Sequence, residues 1–352
     1  MIRVLVVDDS PVAQELFVHM LSSDPEIQPV GVANDGVEAL AAVERLRPNV
    51  ILMDIHMPRM NGLEATKKIM ETNPTPIIMI SGSYSPEDTY KSFQAIDAGA
   101  LYLLKKPEGI GHPRYQDEAS ELTKIVRLMS EVKMVKRWPR PGKDDSPTTI
   151  AHKPGQNLPR PEIKGVVVGA STGGPAVFHT ILTALPKAFP VPILAVQHMS
   201  LGFIDSFVTW ITMTTGFPAR IARHGEMLSP GQAYFAPDNH HILVGTGDRI
   251  ILVEGNSQNG LCPSVAQLFN SAAEVWNRNV VGVLLTGMGL DGAEELKFMR
   301  EKGAVTVAQD EDSCVVFGMP GSAIKLGAAQ YVLDPGEIAK LLSDLVRPEE
   351  SK

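Results

Sequence analysis

Ile2-Arg3-Val4-Leu5-Val6-Val7-Asp8-Asp9 is the stretch that decides the fold. An apolar run this short and this rich in β-branched residues, stopped by two acids, reads as a buried strand that carries carboxylates on its C-terminal end. The same device returns at Val50-Ile51-Leu52-Met53, which ends in Asp54. Around these two, short apolar runs (4–7, 30–33, 50–53, 76–80, 101–104) alternate with amphipathic stretches of helix length (11–21, 36–46, 63–71, 86–99, 117–136). Five strands alternating with five helices predict an α/β domain with a doubly wound, five-stranded parallel sheet. Right-handed crossovers would then place every strand's C-terminal end on one edge.

Moving outward, the pattern collapses between Trp138 and Pro161, where Pro139, Pro141, Pro147, Pro154, Pro159 and Pro161 remove backbone donors and forbid regular helix. This stretch is expected to be a linker; the cations before and within it (Lys133, Lys136, Arg137, Arg140, Lys143) read as a solvated helix end. After Glu162 the alternation resumes, with 166–168, 193–196, 281–285 and 305–307 as buried strands. Shorter runs at 234–235, 242–244 and 250–253 suggest a β-hairpin insertion near 233–254. The expected organisation is two doubly wound α/β domains, 1–125 and 162–348, joined by 126–161, the second with a mainly parallel sheet and a hairpin.

Composition agrees with this plan and excludes several classes of function. At 352 residues the chain exceeds one ordinary core, and 44% hydrophobic with 20% charged residues describes a packed globular protein. No apolar run approaches the roughly 18 residues that cross a bilayer, and MIRVLVVDDS puts acids where a signal peptide would continue apolar, so no membrane insertion and a cytoplasmic location are expected. A formal charge of −8 argues against nucleic acid as a partner. Two cysteines, Cys262 and Cys314, are too few for a disulfide framework.

Asp8, Asp9 and Asp54 would share one sheet edge, where uncompensated carboxylates repel unless a divalent cation bridges them; Mg²⁺ suits such a donor set. Ser81, ending the run 76–80, and Lys106, just after 101–104, bring a hydroxyl and an ammonium to the same edge, both suited to phosphoryl oxygens. In this order and spacing VVDDS, LMDIHMPRMNG, MISGS and LKKP resemble the receiver domain of two-component response regulators over residues 1–125. The resemblance implies that Asp54 accepts a phosphoryl group from a sensor histidine kinase. It also implies that Asp8, Asp9, Asp54 and the backbone carbonyl of His56 hold Mg²⁺, and that Ser81 and Lys106 sense the phosphate.

In the second half, strand 166–168 runs into Gly169-Ala170-Ser171-Thr172-Gly173-Gly174-Pro175 and then a helical stretch. A glycine-rich turn at a helix N-terminus suits either a dinucleotide phosphate or a nucleophile, since Gly169 to Gly173 fits G-x-S-x-G. The next strand ends in Gln197-His198, a base where a nucleotide site wants a ribose-gripping acid. A third strand empties into Thr286-Gly287-Met288-Gly289-Leu290-Asp291-Gly292, where Asp291 reads either as the N-cap of the following helix or as an orienting carboxylate. Together Ser171, His198 and Asp291 make a candidate Ser-His-Asp triad, with backbone N–H groups at Ser171-Thr172 and Met288-Gly289 as candidate oxyanion donors.

VVVGASTGGP, AVQHM, GFIDSF, VLLTGMGLDGA and VAQDEDSCVVFGMP resemble the catalytic domain of chemotaxis protein-glutamate methylesterases over residues 162–346, and a receiver placed in front is that family's own arrangement. The resemblance implies hydrolysis of glutamyl methyl esters on the signalling helices of methyl-accepting chemoreceptors, releasing methanol, without a cofactor for that step. It leaves open deamidation of receptor glutamines. It further implies that phosphorylation of Asp54 shifts the chain toward an open, active form. The chain departs from the family pattern at Ser200-Leu201, where a proline pair is common, and at Cys262-Pro263-Ser264-Val265-Ala266, where Arg-Pro-Ser-Val-Asp is common. Those losses keep a second reading in play, a phosphorylation-switched scaffold without catalysis. His240-His241 does not read as a metal pair, because adjacent strand residues face opposite ways.

Overall fold

The computed structural model describes residues 1–82, 93–96, 98–132, 162–255 and 261–347. Of the expected linker 126–161, residues 133–161 with their cations lie outside the described residues, as does most of the helix expected at 86–99, although 93–96 are helical. The chain divides into two compact units, Met1–Lys143 and Asp144–Lys352.

In the first unit β1 (Ile2–Val7), β2 (Ile27–Ala33), β3 (Val50–Asp54), β4 (Ile77–Ser81) and β5 (Tyr102–Lys105) form one sheet in the order β2-β1-β3-β4-β5. Every neighbouring pair is parallel. Both β3 and β4 are buried at all positions, as a sheet covered on both faces requires. Three of the unit's described helices begin where a side chain satisfies their first N–H groups. Ser10 accepts from Ala13 N at the start of α1 (Pro11–Ser22), Asp35 from Val37 and Glu38 N at α2 (Gly36–Leu46), and Asn61 from Glu64 N at α3 (Gly62–Thr72). The last helix, α4 (Tyr115–Ser130), buries Ala119, Leu122, Ile125, Val126 and Met129. Arg127 fixes it by a two-pronged bond to Asp24 at 2.7 and 2.8 Å. The unit's packed structure thus runs past residue 125.

The second unit is built on seven strands in the order β14-β13-β12-β6-β7-β9-β8: β6 (Gly165–Ala170), β7 (Ile193–Gln197), β8 (Ala219–Ile221), β9 (Ala233–Phe235), β12 (Val280–Leu284), β13 (Val305–Gln309) and β14 (Tyr331–Leu333). All its pairings are parallel. The hairpin is real but smaller than expected. β10 (His240–Gly245) and β11 (Arg249–Glu254) form a separate two-stranded antiparallel sheet, while Tyr234-Phe235 belong to β9 and pair with β7 in the main sheet. Helices α5 (Gly174–Ala184), α6 (Ile204–Thr215), α7 (Val265–Trp276), α8 (Ala293–Glu301), α9 (Met319–Lys325) and α10 (Pro335–Leu345) complete the unit. Leu194, Tyr234, Ile242, Phe269 and Trp276 belong to one core cluster that joins the sheet, the hairpin and α7. The chain leaves β6 to one side toward β7 and returns on the other side as β12, so the C-terminal ends of β12, β6 and β7 flank a topological switch point, the place where such sheets bind ligands.

Candidate functional site

In the first unit the strand order turns at β1 and β3, and the expected acids emerge there. Ligand oxygens of Asp8, Asp9 and Asp54 lie within 4.8 Å of one another, with Asp8 1% and Asp54 7% exposed. Asp8 accepts from Ser10 N at 2.9 Å, and Asp54 from His56 N at 3.1 Å. The structure brings Lys106 to both acids: its Nζ is 2.7 Å from Asp8 Oδ2 and 3.8 Å from Asp54 Oδ1. Ser81 is buried at the end of β4, and its carbonyl accepts from Lys106 N at 2.8 Å. Burial pushes the Asp54 carboxyl up to about 6; the Lys106 ammonium opposes the rise, and Asp8 and Asp9 add to it. Three hard carboxylates crowded around one point, one of them uneasy as an anion, fit a divalent cation with oxygen ligands.

In the second unit the three strand ends at the switch point carry Ser171, His198 and Asp291. Ala170 pairs with Gln197, so the next residues, Ser171 and His198, leave adjacent strands side by side, and His198 N donates to Ala170 O at 2.9 Å. Ser171 N donates to Thr286 O at 3.0 Å, and a Cβ built on Gly287 would stand 2.7 Å from Ser171 Cβ, so the loop after β12 presses against the serine. His198 Nε2 is 3.0 Å from Asp291 Oδ2. With Nε2 facing the carboxylate, Nδ1 is the ring nitrogen left for a hydroxyl.

Asp291 does not cap the helix that follows it. Gly292 is the N-cap of α8, and Asp291 instead accepts from Val265 N at 2.7 Å and Ala266 N at 3.0 Å, the first turn of α7. Burial pushes this carboxyl up, but the His198 hydrogen bond and charge and the two N–H groups outweigh it, so the carboxyl sits below the usual range. Both outer glycines of G-x-S-x-G have steric reasons: a Cβ at Gly169 would meet Val265 Cγ1 at 2.3 Å, and Gly173 has φ +82°. Of the expected oxyanion donors, Ser171 N–H is committed to Thr286 O, which leaves the N–H groups of Thr172, Met288 and Gly289.

A model of the CheB methylesterase family matches residues 166–342, and a model of the response regulator receiver domain matches 4–112. The chain is 49% identical to a protein-glutamate methylesterase/protein-glutamine glutaminase of Geobacter metallireducens, over 98% of this chain and 99% of that one. It is 49% identical to another of that description from Nitrosospira multiformis, over 98% and 97%. The crystal structure of the Thermotoga maritima CheB methylesterase catalytic domain superposes with a TM-score of 0.50 at 37% identity, covering 52% of this chain and 99% of that one.

The chain belongs to the CheB methylesterase family. Its receiver and catalytic units are those the two family models match. Two residues that help build the CheB-type site in this chain, Gln197 and Thr286, carry only a faint signal in the sequence. Gln197, 3% exposed, donates from Nε2 to both Ser171 O and His198 O at 2.8 Å, tying the two strand ends together. Thr286 lies fully buried, with Oγ1 3.0 Å from Thr172 O and accepting from Val315 and Val316 N at 3.1 and 3.0 Å. The faint signal for both is a polar residue where an apolar run should continue. His240 and His241 separate as expected: His240 Nδ1 meets Asp238 O at 2.9 Å, and His241 Nδ1 meets Ser264 N at 3.2 Å. Cys262, in place of the expected cation, packs at Gly255, and burial pushes its thiol up.

Proposed function

We propose that the chain is a phosphorylation-gated protein-glutamate methylesterase, acting in the cytoplasm on methylated glutamates of chemoreceptor signalling helices and deamidating glutamines at equivalent positions. The observation that carries the reading is the 3.0 Å contact of His198 with Asp291 beside the strand end that bears Ser171. His198 Nδ1 takes the Ser171 hydroxyl proton as Oγ attacks the ester carbonyl, and Asp291 holds the ring with its other proton on Nε2. The tetrahedral oxyanion is met by N–H groups from Thr172, Met288 and Gly289, of which one such donor is typically worth about 3–4 kcal/mol. Methanol leaves with the proton returned by His198. Water then attacks the acyl-serine, His198 accepts its proton, and Ser171 is released with a free glutamate.

The receiver acids are the input. Asp54 attacks a phosphohistidine of a sensor kinase, and Asp8, Asp9 and Asp54, with the His56 carbonyl, would hold Mg²⁺, which when bound neutralises charge on the phosphoryl oxygens. Lys106 and Ser81 then engage the new phosphoryl group. The test is methanol release from methyl-labelled receptor membranes, with and without a phosphodonor. Wild type should release methanol faster with the donor, Asp54→Asn should not respond to it, and Ser171→Ala should release none. Release by Ser171→Ala would overturn the triad, and equal rates for Asp54→Asn and phosphorylated wild type would overturn the gating.

A further inference from the structure

Ser264 occupies the N-cap position of α7, yet its side chain makes no capping bond. An N-cap serine ordinarily accepts from the N–H groups of its own first turn. Here those N–H groups, on Val265 and Ala266, go to Asp291, and the Ser264 hydroxyl also turns to Asp291, donating to Oδ1 at 2.9 Å. A hydroxyl has one proton, and this one is spent on a carboxylate brought from another loop. Ser264's own N–H donates to His241 Nδ1 at 3.2 Å, so His241 carries its proton on Nε2 and anchors the serine to β10. His241 N–H and C=O lie on the two-stranded sheet, opposite Val253, which gives the anchor a rigid base.

We propose that Ser264 is a positioning residue of the reaction, fixing the orientation and charge of Asp291, and that His241 is the latch that holds Ser264 in place. This rests on the reading of Ser171, His198 and Asp291 as the triad. Asp291 Oδ2 faces His198 and Val265 N, while Oδ1 is held by Ser264 Oγ and Ala266 N. Pinning Oδ1 stops the carboxylate from turning about its last torsion, so Oδ2 stays on the imidazole. The hydroxyl also draws charge from Oδ1, which limits how strongly Asp291 stabilises protonated His198. Among the described residues, His241 and Glu295 are further titratable groups that bear on Asp291. Replacing Ser264 leaves both in place.

The test is steady-state methanol release by the full chain, with the pH profile and urea midpoint of each variant. Ser264→Ala should lower kcat by roughly tenfold, the worth of one hydrogen bond to a charged group, with KM unchanged and the acid limb of kcat/KM moved to higher pH. Ser264→Thr, which keeps the hydroxyl, should restore both. His241→Asn, which can place an acceptor where Nδ1 stood, should resemble wild type, whereas His241→Leu should change kcat in the same direction as Ser264→Ala. The double variant should be no slower than Ser264→Ala alone, because both act through one contact. A Ser264→Ala protein with a lower urea midpoint but wild-type kcat and acid limb would overturn the proposal. Ser171→Ala is the control: if it still releases methanol, the triad is wrong, and if it is inactive while Ser264→Ala matches wild type, only the positioning role is wrong.

Discussion

Asp54 concentrates the physical cost of the receiver site in one carboxyl. Its pKa is pushed up to about 6 from 3.8 because burial penalises the anion more than Lys106 relieves it. The sign follows directly: the folded state holds this proton more tightly than the unfolded chain, so its contribution favours folding at low pH and is lost as pH rises from about 4 to about 6. A displacement of that size corresponds to at most about 3 kcal/mol. Asp54→Asn should therefore raise the unfolding free energy of the first unit, read from urea unfolding at pH 7, by about 1–3 kcal/mol, and flatten its dependence between pH 4 and 6. Lys106 keeps its 2.7 Å partner Asp8 in that variant, so the gain is not offset by a stranded ammonium. Mg²⁺ should stabilise wild type more than Asp54→Asn, because a cation that binds only the folded site stabilises by mass action and the variant lacks one of its three carboxylates. A larger thermal shift with Mg²⁺ in the variant would contradict the ligand set.

At the scale of elements, the turn from β6 into α5 holds the proposed nucleophile, Ser171, in place. Gly173 is the N-cap of α5 in the left-handed region, and a Cβ there would stand 2.6 Å from Val315 Cβ and Cγ2. Gly173→Ala meets both penalties at once, about 1 kcal/mol for the conformation and 1–3 kcal/mol for overpacking. Urea unfolding should show a loss within about 2–4 kcal/mol, and methanol release at a denaturant-free temperature should fall further than the folded fraction explains. The elements themselves were legible in proportion to how local their signal is. β1, β3 and β6 announce themselves as apolar runs that end in, or run straight into, acids or glycines, and Asp8 just after β1, Asp54 at the end of β3 and Ser171 just after β6 follow the strands that the sequence predicts. The edge strands β8 and β14 have three residues each, too few for periodicity to register. Tyr234-Phe235 read as part of the hairpin because they stand near it in sequence, but their partners are Leu194 and Ala195 of β7. The cap that Asp291 gives to α7 joins residues 25 to 27 positions apart, so only the fold reveals it.

Over the whole molecule, each unit has its own sheet, and the candidate site of each lies at its own switch point. The proposed gating would be a coupling free energy between two sites, and its size sets what an experiment must resolve. A tenfold change in rate needs only about 1.4 kcal/mol of difference between states, well within what a phosphoryl group of charge about −1.5 to −2 could supply through the proposed contacts to Lys106 and Ser81. If the unphosphorylated receiver restrains the catalytic unit, removing the receiver should release the restraint permanently. The catalytic unit is suited to standing alone: its seven-stranded sheet is contained within it, and the Thermotoga maritima structure, matched over 99% of its length, is a catalytic domain without a receiver. Residues 162–352 expressed separately should hydrolyse methylated receptor faster than the unphosphorylated full chain, at a rate that no phosphodonor changes. A fragment that folds, by near-ultraviolet circular dichroism, yet runs no faster than the unphosphorylated full chain would mean that the receiver does not act as a brake. Phosphorylation of Asp54 would then have to supply something the catalytic unit lacks, and the sign of the coupling would be reversed.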